Sequence, residues 1–169
     1  MRIYVPATLP ILRKLIKDSS FAPLGGTAFA LTPALRESYA TGDTEELEYV
    51  AMRDAARASL RLLSIELAGD QPAWPRRVVV AADIDDVTPR PDLDDAAVRV
   101  TGPIPISAVA AVHIDEPDAE YAVRQASDVV DAADLGDLDA EFLLGEAEDH
   151  ELAWYDPTEL PFMIELFDL

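Results

Sequence analysis

The chain has 169 residues, half of them hydrophobic, no cysteine and a net charge of −20. That length and apolar content support one packed core, and the missing cysteines exclude disulfides, thiol nucleophiles, iron–sulfur clusters and cysteine-bound zinc. The charge is lopsided. Of 33 acids and 13 bases, eight of each fall in residues 1–67, which leaves 25 acids against five bases from residue 68 onward. Nucleic acid would meet a repulsive field there, so it is not an expected partner.

Met1–Pro6 reads as a strand rather than the basic-then-apolar start of a secretion signal. No apolar run approaches the roughly 20 residues that span a bilayer, so no membrane partner is expected and a cytoplasmic protein is. Thr8 can cap a helix over Leu9–Lys17, with Pro10 tolerated in its first turn. Gly25-Gly26 marks a loop, but Gly-Gly-Thr lacks the Gly-Lys-Ser/Thr of a phosphate loop. Ala28–Leu31 reads as a strand, and Thr32-Pro33 starts a short helix through Tyr39.

The longest element predicted is a helix over 44–68. Asp43 is its N-cap, Glu46 stands at capping-box spacing, and Gly69 stops it. Leu47, Val50, Ala51, Ala55, Ala58, Leu62 and Ile65 step by three and four and predict its buried face. Arg53, Arg57 and Arg61 form a second row. That row either pairs with the carboxylates abundant elsewhere or offers an anion- or partner-binding stripe.

Further along, Arg77–Ala82, Ala96–Thr101, Val109–Ile114 and Leu152–Tyr155 read as strands. Glu116–Asp131 reads as a helix with Ala119, Ala122, Val123, Ala126 and Val130 inward, and Ala140–Leu144 as a short one. Asp156-Pro157-Thr158-Glu159 is a capping-box start for a last helix. The order predicts a single α+β domain over 1–169. It is expected as a two-layer sandwich of helices on a mixed, mostly antiparallel sheet of about five to six strands, with α/β as the alternative. Residues 83–95 read as an acidic loop and 131–151 as an acidic linker.

Three constellations could carry chemistry. The strand Val78–Ala82 followed by Asp83-Ile84-Asp85-Asp86 resembles the first motif of haloacid-dehalogenase-type phosphatases, where one Asp attacks phosphorus beside magnesium. The required downstream lysine is missing, since no lysine follows Lys17. His113, Asp115 and His150 follow the ligand order of non-haem iron sites, although those enzymes are all-β and this chain reads half helical. Trp154 and Tyr155 could line a pocket, but at strand spacing one of the two belongs in the core.

The stretches M-R-I-Y-V-P-A-T, T-P-A-L-R-E-S-Y, E-E-L-E-Y-V-A, R-R-V-V-V-A-A-D, A-V-A-A-V-H-I-D and H-E-L-A-W-Y together resemble a family of actinobacterial proteins of unknown function. The resemblance implies a high-GC Gram-positive source and a cytoplasmic setting, and it transfers no activity, cofactor or catalytic residue. The expected function is therefore non-catalytic binding of a protein partner or a small anion through Arg53, Arg57 and Arg61 or near Trp154 and Tyr155, with no cofactor. The alternative is a metal-dependent enzyme using a divalent ion at His113/Asp115/His150 or Asp83/Asp85/Asp86.

Overall fold

A computed structural model describes residues 1–169. Its strands are β1 (Arg2–Ala7), β2 (Ser20–Phe21), β3 (Thr27–Ala30), β4 (Val78–Asp83), β5 (Val87–Pro89), β6 (Ala97–Val100), β7 (Ile104–Pro105), β8 (Val109–Ile114) and β9 (Ala153–Tyr155). Its helices are α1 (Leu9–Asp18), α2 (Pro33–Ser38), α3 (Thr44–Ala68), α4 (Glu120–Asp134), α5 (Leu138–Glu148) and α6 (Leu160–Leu166). Seven strands form one sheet in the order β5-β6-β3-β1-β4-β8-β9, and β2 and β7 pair separately. Every pairing is antiparallel.

The fold is α+β, as expected. The sheet holds more strands than the five to six anticipated, none of them parallel. Helices cover both of its faces, so there are three layers rather than two. The reason is visible in β1 and β4, where both faces are apolar. Ile3, Val5, Val78 and Val80 pack with Leu9, Leu12, Leu160 and Met163 on the side of α1 and α6. Tyr4, Val79 and Ala81 pack with Ala51, Ala55 and Ala56 of α3 on the other. The mid-helix alanines let α3 lie close across the sheet, and Ser59 ties it there. The Ser59 hydroxyl donates to the Ala7 carbonyl at 2.7 Å and accepts from the Val78 N–H at 3.2 Å.

Caps set several helix starts. Thr8, Asp43 and Asp137 each accept from a backbone N–H three residues on. Asp156 and Glu159 complete a reciprocal capping box before α6. Gly25 and Gly26 adopt φ of 66° and 70°, a left-handed turn that leads into β3.

Three further expectations are corrected. The buried face of α3 turns partway along. Leu47, Ala51 and Ala55 are buried as predicted, but the inward series continues through Ser59, Leu60 and Leu63, while Ile65 is 71% exposed. The cause is a third apolar cluster, in which Leu60 and Leu63 meet Val123, Ala126, Val130 and Leu144 of α4 and α5. The segment 131–151 is not a linker either. It contains the end of α4 and the whole of α5, longer than the short helix expected over 140–144. The acidic loop 83–95 likewise contains the edge strand β5.

Candidate functional site

The β8–β9 edge of the sheet, the middle of α3 and the chain between α5 and β9 enclose a cleft of about 270 Å³. Met52, Ala56 and Leu60 of α3 and Leu152 give it an apolar lining. His113 enters from β8. The strand register sets Trp154 of β9 directly opposite His113, so both rings face α3. Burial lowers the His113 pKa, with the Arg2 charge adding to the effect, which leaves a neutral imidazole at neutral pH. Tyr49, Arg53, Glu148 and His150 complete the mouth.

A buried ion pair holds this corner in place. The register of β4 on β8 puts Arg77 opposite Asp115, one step beyond the Val78–Ile114 pair. The Arg77 guanidinium donates to both Asp115 carboxylate oxygens at 2.8 Å, and the Arg77 backbone N–H donates at 2.7 Å. The same guanidinium also donates from Nη2 to the His150 carbonyl at 2.8 Å. The side chains are 3% and 0% exposed, so the pair works as an internal clasp. It fastens the α5–β9 connection, and with it His150, to the sheet.

The structure therefore separates His113, Asp115 and His150 by role. Both histidines border the cleft, while the Asp115 carboxylate is spent on Arg77. No three His, Asp or Glu side chains gather into a set that could hold a metal ion. The aspartates 83, 85 and 86 lie at the opposite end of β4 from Arg77. Asp83 pairs with Arg2 at 2.8 Å, Asp85 stands 4.0 Å from the N-terminal amine, and Asp86 is exposed.

The arginine row is largely paired with carboxylates. Arg57 binds Asp134 at 3.0 Å and Glu141 at 2.9 Å. Arg61 binds the same Asp134 at 2.7 Å. Arg53 alone is loosely held, 3.4 Å from Glu148 with its side chain 55% exposed. The row thus faces the acidic helices α4 and α5 and joins them to α3. Of the aromatic pair, Trp154 faces the cleft. Tyr155 points to the other side of the sheet, where it meets Phe167 edge to face at 5.7 Å.

Beside this ion-pair row lies a polar hollow in which Asp54 of α3 approaches Asp94. Burial, reinforced by the Asp94 charge, pushes the Asp54 pKa up to about 6, and Arg53, Arg61 and Arg57 pull it back. A carboxyl raised in this way costs stability when ionised. The cost is full above about pH 6 and fades as pH falls towards the unfolded value near 4. Asp54→Asn is therefore expected to raise the melting temperature at pH 8 by a few degrees. That corresponds to about 1 kcal/mol once solvent screening is allowed for. The gain should vanish near pH 4 in melts run across that range.

The sequence pattern carried a signal for the α3 side of the cleft, since Tyr49, Met52, Arg53, Ala56 and Leu60 recur at helical spacing. That row was masked by the stronger Leu/Ala series beside it. Arg77 and Glu148 gave no local signal, because their partners are 38 and 95 residues away.

No curated protein and no solved structure matches the chain. No helix is long and apolar enough to cross a membrane. Residues 1–164 match a family model, and the chain belongs to that family, DUF6912, a family of unknown function.

Proposed function

We propose that the protein is a non-catalytic binding protein that takes a small molecule into the cleft between α3 and the β8–β9 edge. The observation that carries this reading is convergence. His113, His150, Trp154 and Arg53 come from four separate segments, and they meet around one apolar-lined hollow. The hollow holds no nucleophile paired with a base, and the neutral His113 supplies a hydrogen-bonding group rather than a fixed charge. The metal-enzyme reading has less support, because Asp115 is committed to Arg77. The absence of cysteine and the acidic surface fit a cytoplasmic setting.

Melting the protein against a library of small metabolites and, after chelator treatment, against divalent ions tests this reading. A compound at a hundredfold its Kd adds about 2.7 kcal/mol, or roughly 5–10 °C for a chain of this size. The expected result is a shift with particular organic compounds that Trp154→Ala abolishes. A shift with one metal only, lost in His113→Ala, would replace the binding reading with the enzyme one.

A further inference from the structure

The polar groups around the cleft are unequal in what they have left to offer. Arg77 is almost wholly buried and its charge is already matched by Asp115, with Nη2 also donating to the His150 carbonyl, and Arg57 is held by two carboxylates. Arg53 is the exception. Its only carboxylate partner, Glu148, sits at 3.4 Å, and more than half of the side chain is exposed at the mouth. One cation is thus free to exchange its partner. The two aromatic residues at the rim are also unspent, with Trp154 60% and Tyr49 50% exposed. Exposed aromatics beside an apolar hollow offer flat surface to a flat ligand.

Resting on the reading of the cleft as a small-molecule site, we infer that its ligand is a planar aromatic monocarboxylate, with its ring system between Trp154 and Met52 and its carboxylate on Arg53. Size sets the ring count. An apolar cavity of about 150 Å³ accepts benzene, so a cleft of about 270 Å³ has room for one or two fused rings and a short acid arm. Charge sets the head group. A guanidinium fork matches a carboxylate in two-point geometry. A phosphate dianion would need a second free cation, and Glu148 and Glu151 at the same mouth would repel its extra charge. His113, opposite Trp154, lies within the cleft to hydrogen-bond a ring substituent.

The test is calorimetric titration of the full chain with 2-naphthoate, 2-naphthol, 2-naphthylmethylamine and inorganic phosphate, alongside two-dimensional NMR of the Trp154 indole N–H. The expected result is that the acid binds at least tenfold tighter than the alcohol and the amine, that phosphate does not bind, and that the Trp154 signal moves with the acid. Arg53→Met, an exposed substitution that leaves the core intact, should weaken the acid at least tenfold and leave the alcohol unchanged. Equal affinity for acid and alcohol, or preference for the amine, would overturn the monocarboxylate assignment while leaving the cleft as a small-molecule site. If none of the aromatic probes moves Trp154, the cleft reading falls and the assignment falls with it.

Discussion

Asp115→Ala is expected to lower stability by about 3–5 kcal/mol and the melting temperature by roughly 10 °C. The Asp115 carboxylate accepts three hydrogen bonds from Arg77, and both side chains are almost wholly buried. Removing the acid leaves a guanidinium in the interior with the His150 carbonyl as its one remaining partner. The cost is that of an unpaired buried charge rather than the net worth of the pair. Replacing both partners with apolar residues, Arg77→Met with Asp115→Leu, should recover most of the loss, because desolvation and attraction nearly cancel in the intact pair. The double variant still lacks the tie to His150, so it should fold well and bind poorly. Urea denaturation of the single and double variants measures both terms. A single variant within about 1 kcal/mol of the parent would show that the clasp is not holding the corner.

Leu144→Ala is the second large effect, about 2–5 kcal/mol by the cost of emptying a core site. It should act on one region first. The buried residues of α5 are Ala140, Leu144 and Ala147, so Leu144 is the only large side chain that anchors this helix to Leu60, Leu63 and Val123. On the flank the Arg57–Glu141 contact is only part-buried and the Arg53–Glu148 contact is solvent-exposed, so neither replaces that apolar anchor. Hydrogen exchange should therefore accelerate in α5 and the following turn well before it does in β1 and β4. Since α5 ends at Glu148 beside the cleft, ligand binding should weaken in the same variant. Uniform acceleration across the sheet would mean that α5 does not open as a separate unit.

Much of the architecture was legible because local chemistry decided it. Asp43 and the spacing of Leu47, Ala51 and Ala55 fix α3 within the chain itself, and Val78–Val80 could only be a strand covered on both faces. What escaped was decided at long range. The turn of the buried face from Ala55 towards Leu60 and Leu63 depends on where α4 and α5 pack, and nothing in the α3 sequence says so. The stretch 131–151 is dense in acids, which reads as solvated chain. Its packed side rests on small alanines and one leucine, a pattern too faint to outweigh the charge.

The site followed the same division. His113, His150, Trp154 and Arg53 were each singled out by residue type, and the fold brings all four to one cleft. The structure groups them differently in one respect: Asp115 and the two histidines read as a possible ligand set, and Asp115 is paired with Arg77 instead. The i, i+2 spacing does place Asp115 on the His113 side of the strand, but the register of β4 delivers Arg77 to it. A strand partner 38 residues away cannot be read from spacing. The arginine row was open between ion pairing and anion binding, and the structure divides it. Arg57 and Arg61 join the helices, and Arg53 remains at the cleft mouth.

The most direct measurement of the central claim is a fragment-library titration followed by NMR of the histidine ring nitrogens and the tryptophan indoles. The chain has only two histidines and two tryptophans, so each signal can be assigned by single substitution. The account predicts that compounds which bind move His113 and Trp154 together and leave Trp74 unmoved. Compounds that bind while His113 and Trp154 stay still would contradict it and place the functional surface elsewhere on the molecule.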